Sequence, residues 1–124
     1  MKRLYLAIIL FSLVIFTCFI ETAYINYTFN DTKNTVSDFK EKCQNGVNVH
    51  DYEIDKLNED WNKKSIYLAI FINREQLSNV SDKISLLKTA YNIDKTEFLL
   101  LTEEITSSLE EIQKIENINS FGLL

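Results

Sequence analysis

The sequence predicts an all-α fold, in which an N-terminal transmembrane helix continues into a small antiparallel helical bundle of three to four helices. Three observations support this fold class. A long apolar run opens the chain, and amphipathic stripes with apolar residues three and four positions apart follow it. The 124 residues contain no proline and only two glycines, so residues that punctuate strands and tight hairpins are scarce.

The apolar run follows two cations and extends from Leu4 to Ile20, with only two hydroxyl side chains interrupting it. A helix of roughly 17 residues rises about 26 Å, which is slightly less than a hydrocarbon core of about 30 Å. Continuation of the helix to Ile25 makes up the difference. We therefore expect the chain to contact the lipid bilayer through Leu4 to Ile25.

The charges on either side of this run predict its orientation. Lys2 and Arg3 precede the run, whereas the other flank opens with Glu21 and has no cation before Lys33. Because positive charge stays in the cytoplasm, we expect a cytoplasmic N-terminus and an extracytoplasmic remainder. The predicted organisation is a single-pass protein of the cell membrane, with a transmembrane signal anchor at 1–27 and an extracytoplasmic helical bundle at 28–124.

A cleavable signal peptide is an alternative interpretation of the same stretch. Its apolar region would be shorter and followed by small residues in an A-x-A-like pattern, whereas Glu21-Thr22-Ala23 places a carboxylate there. Lipid attachment at Cys18 is a second alternative, although Phe16 and Thr17 stand where smaller residues usually precede a modified cysteine. We expect retention as an uncleaved anchor, and both alternatives stay open.

Beyond the anchor, apolar residues at Val36, Phe39 and Cys43 predict that the first helix continues to about Gln44, with a weakened stretch around residues 30–34. Asn45-Gly46 then supplies a left-handed stop. Anchor and stem are therefore predicted to form one rod.

The second helix is predicted to begin at Asp51 after the loop GVNVHD. The stretch SIYLAIFI, residues 65–72, is too short for a second span, which needs roughly 18 apolar residues, and we interpret it as a buried helix segment. Asn73 and Gln76 resemble a capping box and predict a turn before a third helix, with one straight-through kinked helix as the alternative. The two stripes comprise Ile54, Leu57, Trp61, Leu68 and Ile72, and then Leu77, Val80, Ile84, Leu87 and Tyr91.

The last helix is predicted to open at Asp94, an acidic cap with Glu97 three residues later. It is expected to fray into the closing NINSFGLL, residues 117–124. Short connections favour an up-down-up-down bundle, while the same heptad-like stripes leave a self-associated coiled coil, and so a homo-oligomer, as an alternative. The apolar stripe comprises Phe98, Leu101, Ile105, Leu109, Ile112 and Ile115.

The inventory of reactive residues predicts no enzyme. His50 is the single histidine, and the chain has no zinc-type Cys/His spacing, glycine-rich phosphate loop or G-x-S-x-G. We predict no catalytic, cofactor-binding or metal-site residues and no cofactor. The acidic side chains of the last helix are interpreted as a solvated face rather than a cation site; they are Glu97, Glu103, Glu104, Glu110 and Glu111.

The net charge disfavours two classes of partner. It is −5 for the whole chain and −7 once Lys2 and Arg3 are left on the cytoplasmic side. An acidic domain repels nucleic-acid phosphates and anionic lipid head groups, so we expect no nucleic acid and no flat docking on lipid.

The cysteines and the glycosylation triplets are given structural rather than chemical interpretations. Cys18 lies in the predicted span, so Cys43 is an odd external thiol, interpreted as a small, partly buried apolar residue. The triplets that begin at Asn26, Asn30 and Asn79 fit the N-glycosylation pattern and are interpreted as coincidence in an asparagine-rich chain.

The arrangement resembles a family. The features that carry the resemblance are the short positive start, the single span, Trp61 in NEDWNKKSIYLAIFIN, the stretch REQLSNVSDKISLLKTAY and the closing ENINSF. They are similar to small single-span membrane-anchored proteins of unknown function from clostridia and related Gram-positive bacteria. The resemblance implies an outward-facing helical domain and association with other small proteins of the envelope or spore. Family members often have a histidine where this chain has Asn73-Arg74-Glu75, so no shared histidine site is implied.

Two functional hypotheses follow. In the first, the anchor holds a helical bundle that contacts another envelope membrane protein and has no catalytic activity. In the second, a small solute enters between the helices and shifts their packing. Because only Met1 to Arg3 are expected in the cytoplasm, such a sensor would signal laterally to a membrane partner.

Overall fold

The architecture is known from a computed structural model that describes residues 1–122 and the side chains of residues 1–118. Residues 1–122 form four helices and contain no strand: α1, Lys2–Gln44; α2, Asp51–Leu68; α3, Arg74–Ile93; and α4, Lys95–Gly122. Around the bundle, α1 packs against α4, α4 against α3, α3 against α2, and α2 against α1. The predicted all-α fold with a long apolar N-terminal helix is confirmed.

Helix α1 is one uninterrupted rod of 43 residues, about 65 Å long at about 1.5 Å per residue. Residues 4–20, here called the apolar segment, are not buried anywhere along their length, whereas Ile25 and Phe29 already lie in the bundle core. The weakening predicted around residues 30–34 is wrong, because Thr32 is buried and donates a hydrogen bond to the Thr28 carbonyl at 3.0 Å.

The end of α1 has the predicted left-handed glycine. Gly46 has a φ of +74°, and Val47 N donates to the Lys42 carbonyl at 2.8 Å across it. This is the six-to-one bond that closes a helix with a left-handed residue. The following loop is held by Val49 N, which donates to the Tyr91 hydroxyl at 2.9 Å, so α3 helps to fix the far end of α1.

The predicted start of α2 at Asp51 is confirmed. His50 has extended backbone angles and occupies the N-cap, while Asp51 is the first helical residue. Asp51 and Glu53 then place negative charge in the first turn, where the helix dipole favours it.

The predicted break between α2 and α3 is confirmed, and the straight-through helix is wrong. Helix α2 ends at Leu68, and Asn73 caps α3. The Asn73 side chain accepts a hydrogen bond from Glu75 N at 2.8 Å rather than from Gln76 N, as a capping box would require.

The stretch at residues 65–72 is only partly the buried segment that its composition predicts. Leu68 and Ile72 are buried, but four large apolar side chains on and beside the turn remain exposed. The reason is that α2 stops at Leu68, so the next residues form a turn with only one side against the core. The exposed residues are Ile66, Tyr67, Ile70 and Phe71.

The break between α3 and α4 is also confirmed, because Asp94 Oδ1 accepts a hydrogen bond from Thr96 N at 3.0 Å. The predicted fraying is wrong for residues 117–122, since α4 continues to Gly122. Asn117 in this stretch accepts a hydrogen bond from Asn26 on α1. The remaining residues of that prediction, 123–124, lie outside the described part of the chain. Ile115, predicted as the last core residue of α4, is 38% exposed.

Trp61 is the centre of the core. Its side chain is 1% exposed, its ring centroid lies 5.9 Å from that of Phe29 on α1, and Nε1 donates to Ser81 Oγ on α3 at 2.8 Å. One side chain therefore connects three helices. The predicted stripes of α2, α3 and α4 supply the surrounding buried residues, which include Ile54, Leu57, Leu68, Leu77, Val80, Ile84, Leu87, Phe98, Ile105, Leu109 and Ile112.

Replacement of Trp61 by alanine is expected to lower the free energy of unfolding by about 3–5 kcal/mol, because it leaves a cavity where three helices meet. Denaturant titration of the full chain in detergent micelles measures this change. Trp61→Phe should lower the free energy of unfolding by less than Trp61→Ala does. Leu86→Ala, at an exposed position of α3, should change this free energy by less than about 0.5 kcal/mol. Equal losses for Trp61→Ala and Leu86→Ala would contradict the central position of Trp61.

Candidate functional site

The apolar segment is the first functional feature of the chain. Helix α1 contains an 18-residue window with a mean hydropathy of 2.4, long and apolar enough to cross a membrane, and 0% of this window is buried in the bundle. The core helix of a soluble protein is mostly buried, and this window is not. Because exposed apolar surface costs roughly 25 cal/mol per Å² in water, the segment needs an apolar covering.

A polar junction lies where α1 enters the bundle. Gln113 on α4 is buried, and its Nε2 donates to Asn30 Oδ1 at 3.2 Å and to Asn26 Oδ1 at 3.4 Å. Asn26 Nδ2 in turn donates to Asn117 Oδ1 at 3.4 Å. These bonds, together with the buried Ile25, fix the end of α4 against α1 directly after the apolar segment.

Two carboxylates lie at the same boundary. Glu116 on α4 is partly buried, and burial raises its pKa above the ordinary value of 4.5; the negative charge of Glu21 on α1 raises it further. Charge at this position is therefore disfavoured in the folded chain, and protonation relieves both effects.

A groove between α1 and α2 is the second functional feature. It encloses about 410 Å³, and Phe39, Leu57 and Trp61 form its apolar lining. Two ion pairs cross it, Lys64 Nζ to Asp31 Oδ2 at 3.0 Å and Lys42 Nζ to Glu53 Oε1 at 3.3 Å.

The rim of this groove carries both signs of charge. Asp38 and Asp60 add carboxylates, and Lys56 adds a cation. Glu53 Oε2 is buried and has no hydrogen-bond partner within the described part of the chain. The groove is open because α1 packs less extensively against α2 than against α4. An apolar floor with charged walls suits a polar peptide segment or a small charged solute.

The histidine, the two cysteines and the glycosylation triplets lie at separate places in the structure. His50 is exposed and its ring stacks on Tyr52, with centroids 5.4 Å apart. Cys43 is partly buried against the core, as predicted, and neither it nor Cys18 forms a disulfide. Of the three glycosylation triplets, the two nearest the apolar segment include junction residues, Asn26 and Asn30.

The five glutamates of α4 that the sequence predicts to be solvated are exposed, namely Glu97, Glu103, Glu104, Glu110 and Glu111. Glu103 forms an ion pair with Lys40 on α1, Nζ to Oε1, at 3.2 Å. Within residues 1–122, no group of three or more His, Cys, Asp or Glu residues lies close enough to hold a metal ion.

Sequence reasoning missed the polar junction and the groove. The signal for the junction was Gln113, a polar residue directly after Ile112 on the buried face of α4. The groove had no comparable signal, because its charges lie on two helices whose register is not visible in the sequence.

Comparison with known proteins adds no relative: no family model, curated protein or solved structure matches the chain. The resemblance to small membrane-anchored proteins of Gram-positive bacteria therefore stays a prediction.

Replacement of Glu116 by glutamine is expected to stabilise the fold at neutral pH. Because the pKa of Glu116 is raised on folding, the folded chain binds more protons than the unfolded chain above pH 4.5, and stability falls as pH rises through this window. Glu116→Gln removes this loss of stability, because glutamine does not ionise. Thermal unfolding of the full chain in micelles should therefore give a higher Tm than wild type at pH 7 and a similar Tm at pH 4.

Glu111→Gln, at an exposed position of the same helix, is the matched control and should not show this pH-dependent gain. A lower Tm for Glu116→Gln at pH 7, or the same response in both variants, would contradict the assignment.

Proposed function

We propose that the chain is a membrane-anchored, extracytoplasmic accessory protein of the bacterial cell envelope that binds another membrane protein and has no catalytic activity. The observation that carries this proposal is the exposure of the apolar segment. It extends from one end of the bundle as part of the same helix that supplies Phe29, Val36 and Phe39 to the core. Lipid is the medium that covers such a surface on all sides.

Retention of the anchor is supported by local structure. The candidate cleavage site, Glu21-Thr22-Ala23, lies inside the continuous α1 helix, and Glu21 and Thr22 are partly covered. Two residues later Ile25 is buried in the core. The outward orientation is supported by Lys2 and Arg3, which precede the apolar segment, and by the acidic charge of the bundle.

A partner in the same membrane is supported by the position and chemistry of the groove. It lies between α1 and α2, and α1 is the helix that enters the bilayer, so the groove faces the space beside the anchor. Its ion pairs are exposed enough to exchange for ion pairs with a partner, because Asp31 is 55% exposed. The resemblance to small envelope proteins favours the same class of partner.

A non-catalytic role is supported by the separation of reactive groups. His50 is exposed at the far end of the bundle, and the acidic residues of α4 are spread along its surface. General acid–base or nucleophilic catalysis requires such groups within hydrogen-bond distance of one another.

Cross-linking from the groove in intact protoplasts tests the proposal. In a background in which Cys18 and Cys43 are serine, Asp60→Cys places a thiol in the groove and Thr89→Cys places one on the exposed face of α3. Both variants receive a membrane-impermeant thiol-reactive photo-cross-linker. We expect both thiols to be labelled from outside, and only the groove position to give a discrete adduct with a membrane protein.

Four results would contradict the proposal. Labelling only after permeabilisation would show that the bundle lies on the cytoplasmic side of the membrane. Recovery of the labelled chain without the apolar segment would show that this segment is a cleaved signal peptide and not an anchor. External labelling without a discrete adduct at Asp60→Cys would remove the groove as a partner site, and an adduct of twice the chain's mass would identify a homo-oligomer instead.

The groove also favours a second candidate function, a ligand-sensing bundle that signals laterally to a membrane partner. Its volume of about 410 Å³ falls within the roughly 300–1,000 Å³ typical of small-molecule sites. The unpartnered Glu53 Oε2 gives a cationic solute a hydrogen-bond acceptor. Saturable thermal stabilisation of the chain by a small solute, abolished by Glu53→Gln, distinguishes this function from binding of a protein partner.

A further inference from the structure

The turn between α2 and α3 carries an exposed apolar cluster. Ile70 and Ile66 are 74% and 71% exposed, and Tyr67 and Phe71 are also exposed. These four residues, here called the apolar turn, are contiguous in sequence with Leu68 and Ile72, which are buried. Exposed contiguous apolar surface on a folded domain indicates an interaction site.

Contacts between α1 and α2 place the apolar turn along the length of α1. The two helices are antiparallel: Glu53 pairs with Lys42 near the far end, and Lys64 pairs with Asp31 nearer the apolar segment. Trp61 packs on Phe29. Because both helices rise about 1.5 Å per residue, continuation of this register brings residues 69–72 level with roughly residues 19–25 of α1.

Contacts between α1 and α4 place the end of α4 along α1 in the same way. Glu103 pairs with Lys40, Gln113 bonds to Asn30, and Asn117 bonds to Asn26. The last turns of α4 therefore approach the same part of α1 as the apolar turn. The bundle end formed by these elements is the end from which the apolar segment emerges.

The bilayer boundary falls at this level. A helix that spans a hydrocarbon core of about 30 Å from Leu4 leaves it near Tyr24, and the head-group region extends several ångströms further. The apolar turn thus lies beside the membrane surface, and not in the aqueous space beyond it.

The chemistry of the neighbouring residues fits this position. Lys63 and Arg74 flank the turn and are exposed, so their charges can reach phosphate groups while apolar side chains enter the lipid. Tyr67 on the turn and Tyr24 and Tyr27 on α1 are exposed aromatic residues of the kind enriched at membrane interfaces.

We propose that the apolar turn inserts into the interfacial region of the outer leaflet and forms a second, non-spanning membrane contact. The inference rests on the proposed membrane anchor, because the same bilayer is the occupant. It differs from flat docking, which the acidic bundle disfavours, since only one turn enters the lipid. Insertion fixes the bundle against rotation about α1 and holds the α1–α2 groove at a constant height above the membrane.

Fluorescence quenching in vesicles tests the insertion. The full chain with both native cysteines changed to serine is reconstituted in zwitterionic phosphatidylcholine vesicles, with or without lipids that carry nitroxides at both upper and lower positions of the acyl chains. Single cysteines at Ile70→Cys, Val47→Cys and Leu13→Cys carry an environment-sensitive fluorophore. Val47 is the matched control, because it is an exposed apolar residue at the opposite end of the bundle.

We expect strong quenching at positions 13 and 70, with at least threefold less quenching at position 47. Quenching at position 13 together with equal, weak quenching at positions 70 and 47 would overturn the insertion and leave the anchor intact. Blue-shifted emission at position 70 without lipid quenching would also overturn it, because a protein would then cover the turn. Absence of quenching at position 13 would overturn the anchor, and the insertion with it.

Discussion

Helix α1 has an exposed apolar part and a part that packs in the bundle, and the rest of the structure depends on the continuity of this helix. The same backbone that exposes apolar side chains around the whole circumference of residues 4–20 presents one buried face after Ile25. No glycine, proline or loop separates the two parts. Because a continuous helix is rigid, any medium that fixes the orientation of the apolar segment also fixes the axis about which α2, α3 and α4 pack. The apolar segment and the bundle are therefore joined by one continuous helix rather than through a flexible linker.

The packing around α1 is unequal on its two sides. On one side, α4 packs closely and contributes the buried amide of Gln113 to the junction with Asn26 and Asn30. On the other side, α2 is held by Trp61 and by two ion pairs at the edge of an open groove. Ion pairs between partly exposed side chains contribute little to stability, so this side can exchange contacts at low cost. The proposed partner site thus occupies the less tightly packed face of the anchor helix.

Much of the fold was predictable because the signals were local. The stripes of α2 and α3 depend only on helical spacing, and Gly46 and Asp94 end and begin helices through their own backbone and side-chain chemistry. The errors concern tertiary context. Asn117, in the stretch expected to fray, bonds to Asn26 on α1 in a helix that continues to Gly122, and Ile70 and Phe71 are exposed because α2 ends at Leu68. The groove and the polar junction required the register between helices, which no single stripe encodes.

A nitroxide scan along α1 in lipid vesicles tests the continuity of this helix most directly. Single spin labels from Leu4 to Phe39 report accessibility to oxygen, which concentrates in lipid, and to a water-soluble reagent. We expect high oxygen accessibility without helical periodicity over residues 4–20, then a 3.6-residue periodicity from Ile25 onward, with no break between them. A non-helical stretch at residues 21–24, or low oxygen accessibility over residues 4–20, would contradict this continuity.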